Sequence, residues 1–97
     1  MSPLYFVSKK ALFPLGDFYI TTPAYAVLSH EDVESALSRH ASGDWGEIAE
    51  EDRGVNESAL AEGARLLSVY RSAKGVKFWI ITEADRSVTT VLLPDNY

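Results

Sequence analysis

The chain of 97 residues contains no cysteine. That excludes a disulfide scaffold, a thiolate metal site and a cysteine nucleophile. Long apolar runs are also missing. Trp79-Ile80-Ile81 is typical of the longest, so no helix is expected to span a membrane. No basic patch precedes an apolar stretch at the N-terminus, so no secretory signal is expected, and a cytoplasmic setting follows as the expectation. A Gly-x-Ser-x-Gly elbow and a glycine-rich phosphate loop are both absent. Histidine occurs only at positions 30 and 40. His30 and Glu34 have the i, i+4 spacing of two ligands on one helix face, but a metal site needs a third and a fourth. No cofactor is therefore expected, and no catalytic residue stands out.

What is present is an ordinary globular composition, 46% hydrophobic and 24% charged. A chain of this length buries roughly 60–65% of its unfolded surface, enough for one core and one domain over 1–97. The net charge is −5, and it is unevenly placed. Residues 31–62 hold ten acids and two bases, whereas the remainder holds four acids and seven bases. Direct nucleic-acid binding through the acidic stretch is disfavoured, because phosphate contacts need Lys and Arg. A basic protein partner is favoured.

The periodicity predicts an α+β domain. Tyr5-Phe6-Val7 and Asp17–Thr21 read as strands, with Lys9 and Lys10 between them and the Pro14-Leu15-Gly16 turn before the second. Thr22-Pro23 reads as a helix start with Thr22 as cap. Ser29 with Asp32 reads as a capping box for a helix whose inner stripe is Val33, Ala36 and Leu37, stopped by Gly43. A further helix is expected from Glu50 to Glu62, with Val55, Leu60 and the alanines inward and Gly63 as its stop. Beyond Gly63 the period becomes two. Leu66–Tyr70, Val76–Thr82 and Ser87–Leu93 predict a three-stranded antiparallel meander, turning at Ser72–Gly75 and Glu83–Arg86. Asp85-Arg86 reads as a turn with a local ion pair. The middle strand is apolar on both faces, so it should be central. One face is expected to carry the two acidic helices. The other needs the N-terminal segment or a partner chain.

Several stretches resemble a known family. Arg39-His40, Gly43-Asp44-Trp45-Gly46, Asn56–Leu60, Arg65–Tyr70 and above all Ile80–Pro94 occur in an order similar to that of small bacterial proteins labelled plasmid-related. Those proteins are found on plasmids, phages and integrated elements. The resemblance covers about residues 17–97. It implies a mobile-element setting and carries no activity or functional residues with it.

Size, acidity and that setting together suggest a non-enzymatic inhibitor of a host defence system, of the anti-CRISPR or anti-restriction kind. Clustered carboxylates would occupy the Lys/Arg groove of a nucleic-acid-binding effector. The candidate contacts are Glu31, Asp32, Glu34, Asp44, Glu47, Glu50, Glu51 and Asp52, on two helices and the loop between them, the helices being expected to lie side by side and to share one anionic surface. Trp45, between two glycines, reads either as an anchor pinning its loop to the core or as an exposed interface residue. The alternatives are a plasmid-maintenance protein acting by homo-oligomerisation, where an uncovered sheet face would form a homodimer, and a small metal-dependent enzyme.

Overall fold

The computed structural model describes residues 11–97. The expected Tyr5-Phe6-Val7 strand and the pair Lys9 and Lys10 lie outside them. The elements run β1 (Asp17–Ile20), α1 (Thr22–Val27), α2 (His30–Ala41), α3 (Glu50–Glu62), β2 (Leu66–Arg71), β3 (Lys77–Thr82) and β4 (Val88–Leu92), followed by a 3-10 turn at Pro94–Asn96.

The fold is α+β, as the periodicity predicts, with a difference of detail in the sheet. The meander β2-β3-β4 is antiparallel as expected. It gains a fourth strand, because β1 joins β4 in parallel and the sheet order becomes β1-β4-β3-β2. The helix start at Thr22-Pro23 opens a short helix of its own, ahead of the two acidic ones.

Each helix begins where the chain offers a cap or a favourable charge. Thr21, one residue before the expected cap, accepts the Ala24 N–H. Ser29 Oγ accepts the Asp32 N–H at 3.0 Å, but the reciprocal arm of the box is not made. The Asp32 carboxylate instead accepts the Ala73 N–H of the β2-β3 turn. Helix α3 has no side-chain cap. Glu50, Glu51 and Asp52 fill its first turn, where negative charge complements the helix dipole. It ends at Gly63, whose φ of 78° is the left-handed geometry of a C-terminal stop.

One sheet face carries Tyr70, Phe78, Ile80 and Val91. It packs against Ala24 and Leu28 of the α1 region and Val33, Ala36 and Leu37 of α2. Helix α3 lies along β2, where Ala59 and Leu60 join a second cluster with Leu66, Trp45, Ile48 and Phe13. Val55 is not inward as expected but 62% exposed. Asn56 takes the inward position and ties α3 to the strand: its Nδ2 donates to the Leu67 carbonyl at 2.6 Å and its Oδ1 accepts the Leu67 N–H. On the opposite sheet face, Tyr97 sets its ring edge against Trp79, centroids 5.5 Å apart. The C-terminus thus supplies part of the cover sought from an N-terminal segment or a partner.

The two edges of the sheet are finished differently. On β2, Leu67 is closed by Asn56. Val69 donates to the Trp45 carbonyl, and its own carbonyl accepts the Glu47 N–H at 2.7 Å. The intervening Gly46 has φ 76°, and a Cβ there would collide with the Val69 carbonyl, so the loop reaches the strand only with glycine. On β1, Asp17 donates to Ser87 and Thr21 to Val91. Alternation then turns the N–H and C=O groups of Phe18 and Ile20 away from β4. Among the described residues nothing pairs with them.

Candidate functional site

Helix α2 packs on the sheet with the first cluster, whereas α3 packs along β2 with the second. The loop Ser42–Ala49 runs between them. The candidate carboxylates differ in their surroundings and divide into three groups.

Asp44, Glu47 and Glu50 have their own cations. Asp44 takes a two-pronged contact from Arg39, Nε at 2.8 Å and Nη2 at 3.2 Å. That hydrogen bond holds the Asp44 carboxyl below its ordinary range, and Asp44 in turn raises Arg39. Glu47 accepts from Arg71 at 3.1 Å, and Glu50 lies 3.8 Å from Arg53. Asp32 is half-buried and occupied by the Ala73 N–H. Glu31, Glu34, Glu51 and Asp52 are exposed and have no cationic side chain within ion-pair distance among the described residues.

Trp45 is an anchor. It is 0% exposed, stacks against Phe13 and donates its Nε1–H to Glu57 at 2.9 Å. The reading of Trp45 as an exposed interface residue is therefore corrected. The loop around it is held by Tyr70, whose hydroxyl donates to the Asp44 carbonyl at 2.6 Å; burial pushes that phenol up from its ordinary value.

Beneath the loop lies a polar chain that spacing did not reveal. His40 is fully buried, with Ser68 Oγ at 2.6 Å from Nδ1 and Thr82 Oγ1 at 2.9 Å from Nε2. Thr82 contacts Thr89 at 2.7 Å, and Thr89 donates to the Leu15 carbonyl at 2.6 Å. Each hydroxyl has one proton, so the direction of the chain follows from its end. Thr89 spends its proton on Leu15 and must accept from Thr82. Thr82 must then accept from Nε2–H. Burial pushes the imidazole down to about 3, so it is neutral near pH 7 and Nδ1 is left bare to accept from Ser68. A serine beside a histidine is also the arrangement of an activated nucleophile. Here Ser68, His40, Thr82 and Thr89 are all sealed from solvent, so no substrate reaches them. The signal available in the sequence was the period of two, which places Ser68, Thr82 and Thr89 on inward positions where a hydroxyl needs a partner.

Asp85 and Arg86 do not pair with each other as expected. Asp85 accepts from Ser87 N–H and Oγ–H, which lowers its carboxyl. Arg86 donates to backbone carbonyls of Ala59 and Ala64 at the end of α3.

The concave surface lies elsewhere. A groove of about 410 Å³ opens between β1 and α2. Its walls are apolar, from Phe18 and Ile20 on the strand, Tyr25 and Leu28 on and after α1, and Val33 and Leu37 on α2. The polar side chains among its lining residues are Ser29, His30 and Glu34, and no lysine or arginine is among them. Phe18 is 46% exposed and Tyr25 62%. Among the described residues no three metal-ligating side chains come together, and no helix is long and apolar enough to cross a membrane.

Comparison with known proteins adds no relative: no protein-family model, no curated protein and no solved structure matches the chain.

Proposed function

We propose that the protein acts by binding another protein rather than by catalysis, and that the partner presents a basic, nucleic-acid-handling surface. The observation that supports this is that four of the eight candidate carboxylates are exposed with no cationic side chain within ion-pair distance among the described residues: Glu31 and Glu34 on α2, Glu51 and Asp52 at the start of α3. They lie on α2 and at the start of α3, and the partner is met through both. Asp44, Glu47 and Glu50 drop out of the contact set because their arginines already neutralise them. The resemblance to plasmid-related proteins supports a mobile-element setting, and in that setting an inhibitor of a host nucleic-acid-binding effector is the reading that the charge favours.

The test is affinity capture from a bacterial host lysate at rising salt, with the unaltered chain and a triple variant, Glu31→Lys, Glu51→Lys and Asp52→Lys. The expected result is recovery of a nucleic-acid-handling protein, released as salt screens the charges and not recovered by the variant. Unchanged recovery by a folded triple variant would overturn the proposal.

A further inference from the structure

The contrast between the two sheet edges points to a second binding surface. The β2 edge is closed at Leu67 by Asn56 and at Val69 by the Trp45–Glu47 backbone. Such closure is how proteins prevent unwanted strand pairing. At the β1 edge the outward N–H and C=O groups of Phe18 and Ile20 meet no such partner among the described residues. The apolar groove lies directly beside that edge, with Phe18 and Ile20 forming part of its wall. An open edge next to an apolar trough is the geometry of strand addition, in which backbone pairing provides affinity and alternate side chains provide selectivity.

We propose that the groove between β1 and α2 is the docking site of an extended segment of a partner protein, which adds to β1 as a fifth strand. Alternate apolar side chains of that segment settle against Phe18, Leu28, Val33 and Leu37, and a lysine or arginine beside them meets Glu34. Charge selects this occupant. Glu34 lines the groove and no Lys or Arg does. A second copy of the chain would bring another β1 edge, with its own Asp17 and Glu34, against the same acidic rim. A partner segment with a cation meets complementary charge where a second copy meets like charge.

The probe is a synthetic peptide of alternating valine and threonine flanked by lysines, titrated into the isotopically labelled full chain. The expected result is saturable shifts at the amides of Phe18, Ile20, Leu28 and Val33. A twin peptide with glutamates in place of the lysines binds about two- to fivefold more weakly, the scale of a partly exposed charge pair. Glu34→Gln removes most of that preference while leaving the fold intact. Phe18→Pro removes an outward edge donor, a position where proline is tolerated, and weakens both peptides. Several outcomes overturn the proposal: shifts confined to other surfaces, no shifts at all, equal binding by the two peptides, or sedimentation showing that a second copy already covers the edge. None of them bears on capture by Glu31, Glu51 and Asp52, so the two proposals fail separately.

Discussion

His40 is the residue whose chemistry most constrains the core. Its imidazole is neutral because burial removes the water that would solvate the cation, and its two nitrogens are already committed to Ser68 and Thr82. The folded value of about 3 lies below the unfolded value of about 6.5. Between those values the unfolded chain binds a proton that the folded chain refuses. Stability is therefore full above the unfolded value and is lost as pH falls toward 3. By pH 4.5 the loss is about 3 kcal/mol, since each unit of difference is about 1.4 kcal/mol. Urea unfolding of the unaltered chain from pH 7 to pH 4.5 should show this slope. His40→Gln should be less stable at pH 7, with hydroxyls left short of partners, and should lack the slope. Asp44 is held low by Arg39 in both proteins alike, so its contribution cancels from the comparison. Identical slopes in the two proteins would mean that His40 is charged or exposed.

At the scale of elements, Arg86 does for α3 what the helix does not do for itself. The last turn of α3 has no basic residue. The guanidinium of Arg86, carried in by the β3-β4 turn, donates to the Ala64 carbonyl at 2.6 Å and the Ala59 carbonyl at 3.1 Å. The residue holds φ at 62°, an unfavourable backbone for any side chain with a Cβ. Arg86→Ala should cost about 2 kcal/mol, from lost charge-assisted bonds to the exposed carbonyls of a helix end. Arg86→Gly should cost about 1 kcal/mol less than that, because glycine accepts the positive φ. Thermal melts give the order, and amide exchange at Ala59–Ala64 locates the fraying. Equal stability of the alanine and glycine variants would remove the strain argument. This element also shows what a sequence can disclose. Its bounds were legible from local chemistry, acids at Glu50–Asp52 and glycine at 63. Its packing was not: Val55 satisfies the apolar pattern, yet Asn56 faces inward, because the β2 edge needs an amide more than a methyl group. The meander was legible from the period of two and its turns. The parallel place of β1 was not, since no turn fixes the register of a four-residue strand whose partner lies some seventy residues away.

For the molecule as a whole, the legible part of the candidate site was its charge and the hidden part was its shape. Local counting finds the acids of residues 31–62, but only the fold divides them between α2 and the β2 edge and gives three of them arginines. Val33 and Leu37 read as core, and they are core, yet the same two side chains also floor a groove that exists only because β1 stops the sheet short. That asymmetry should appear in native-state amide exchange. Opening free energies run from near zero at unpaired amides to the global value in central strands. Ile80 and Val91 are fully buried on neighbouring strands, so their amides should exchange last, through global unfolding. The outward amides of Phe18 and Ile20 should exchange near the unprotected rate, although Asp17 and Thr21 on either side are held by Ser87 and Val91. An alternation of fast and slow amides along one strand is the mark of an open edge. Uniform protection along 17–21 would show the edge already covered. If that protection also rose with protein concentration, the cover would be a second copy, and the groove would belong to a homodimer rather than to a foreign strand.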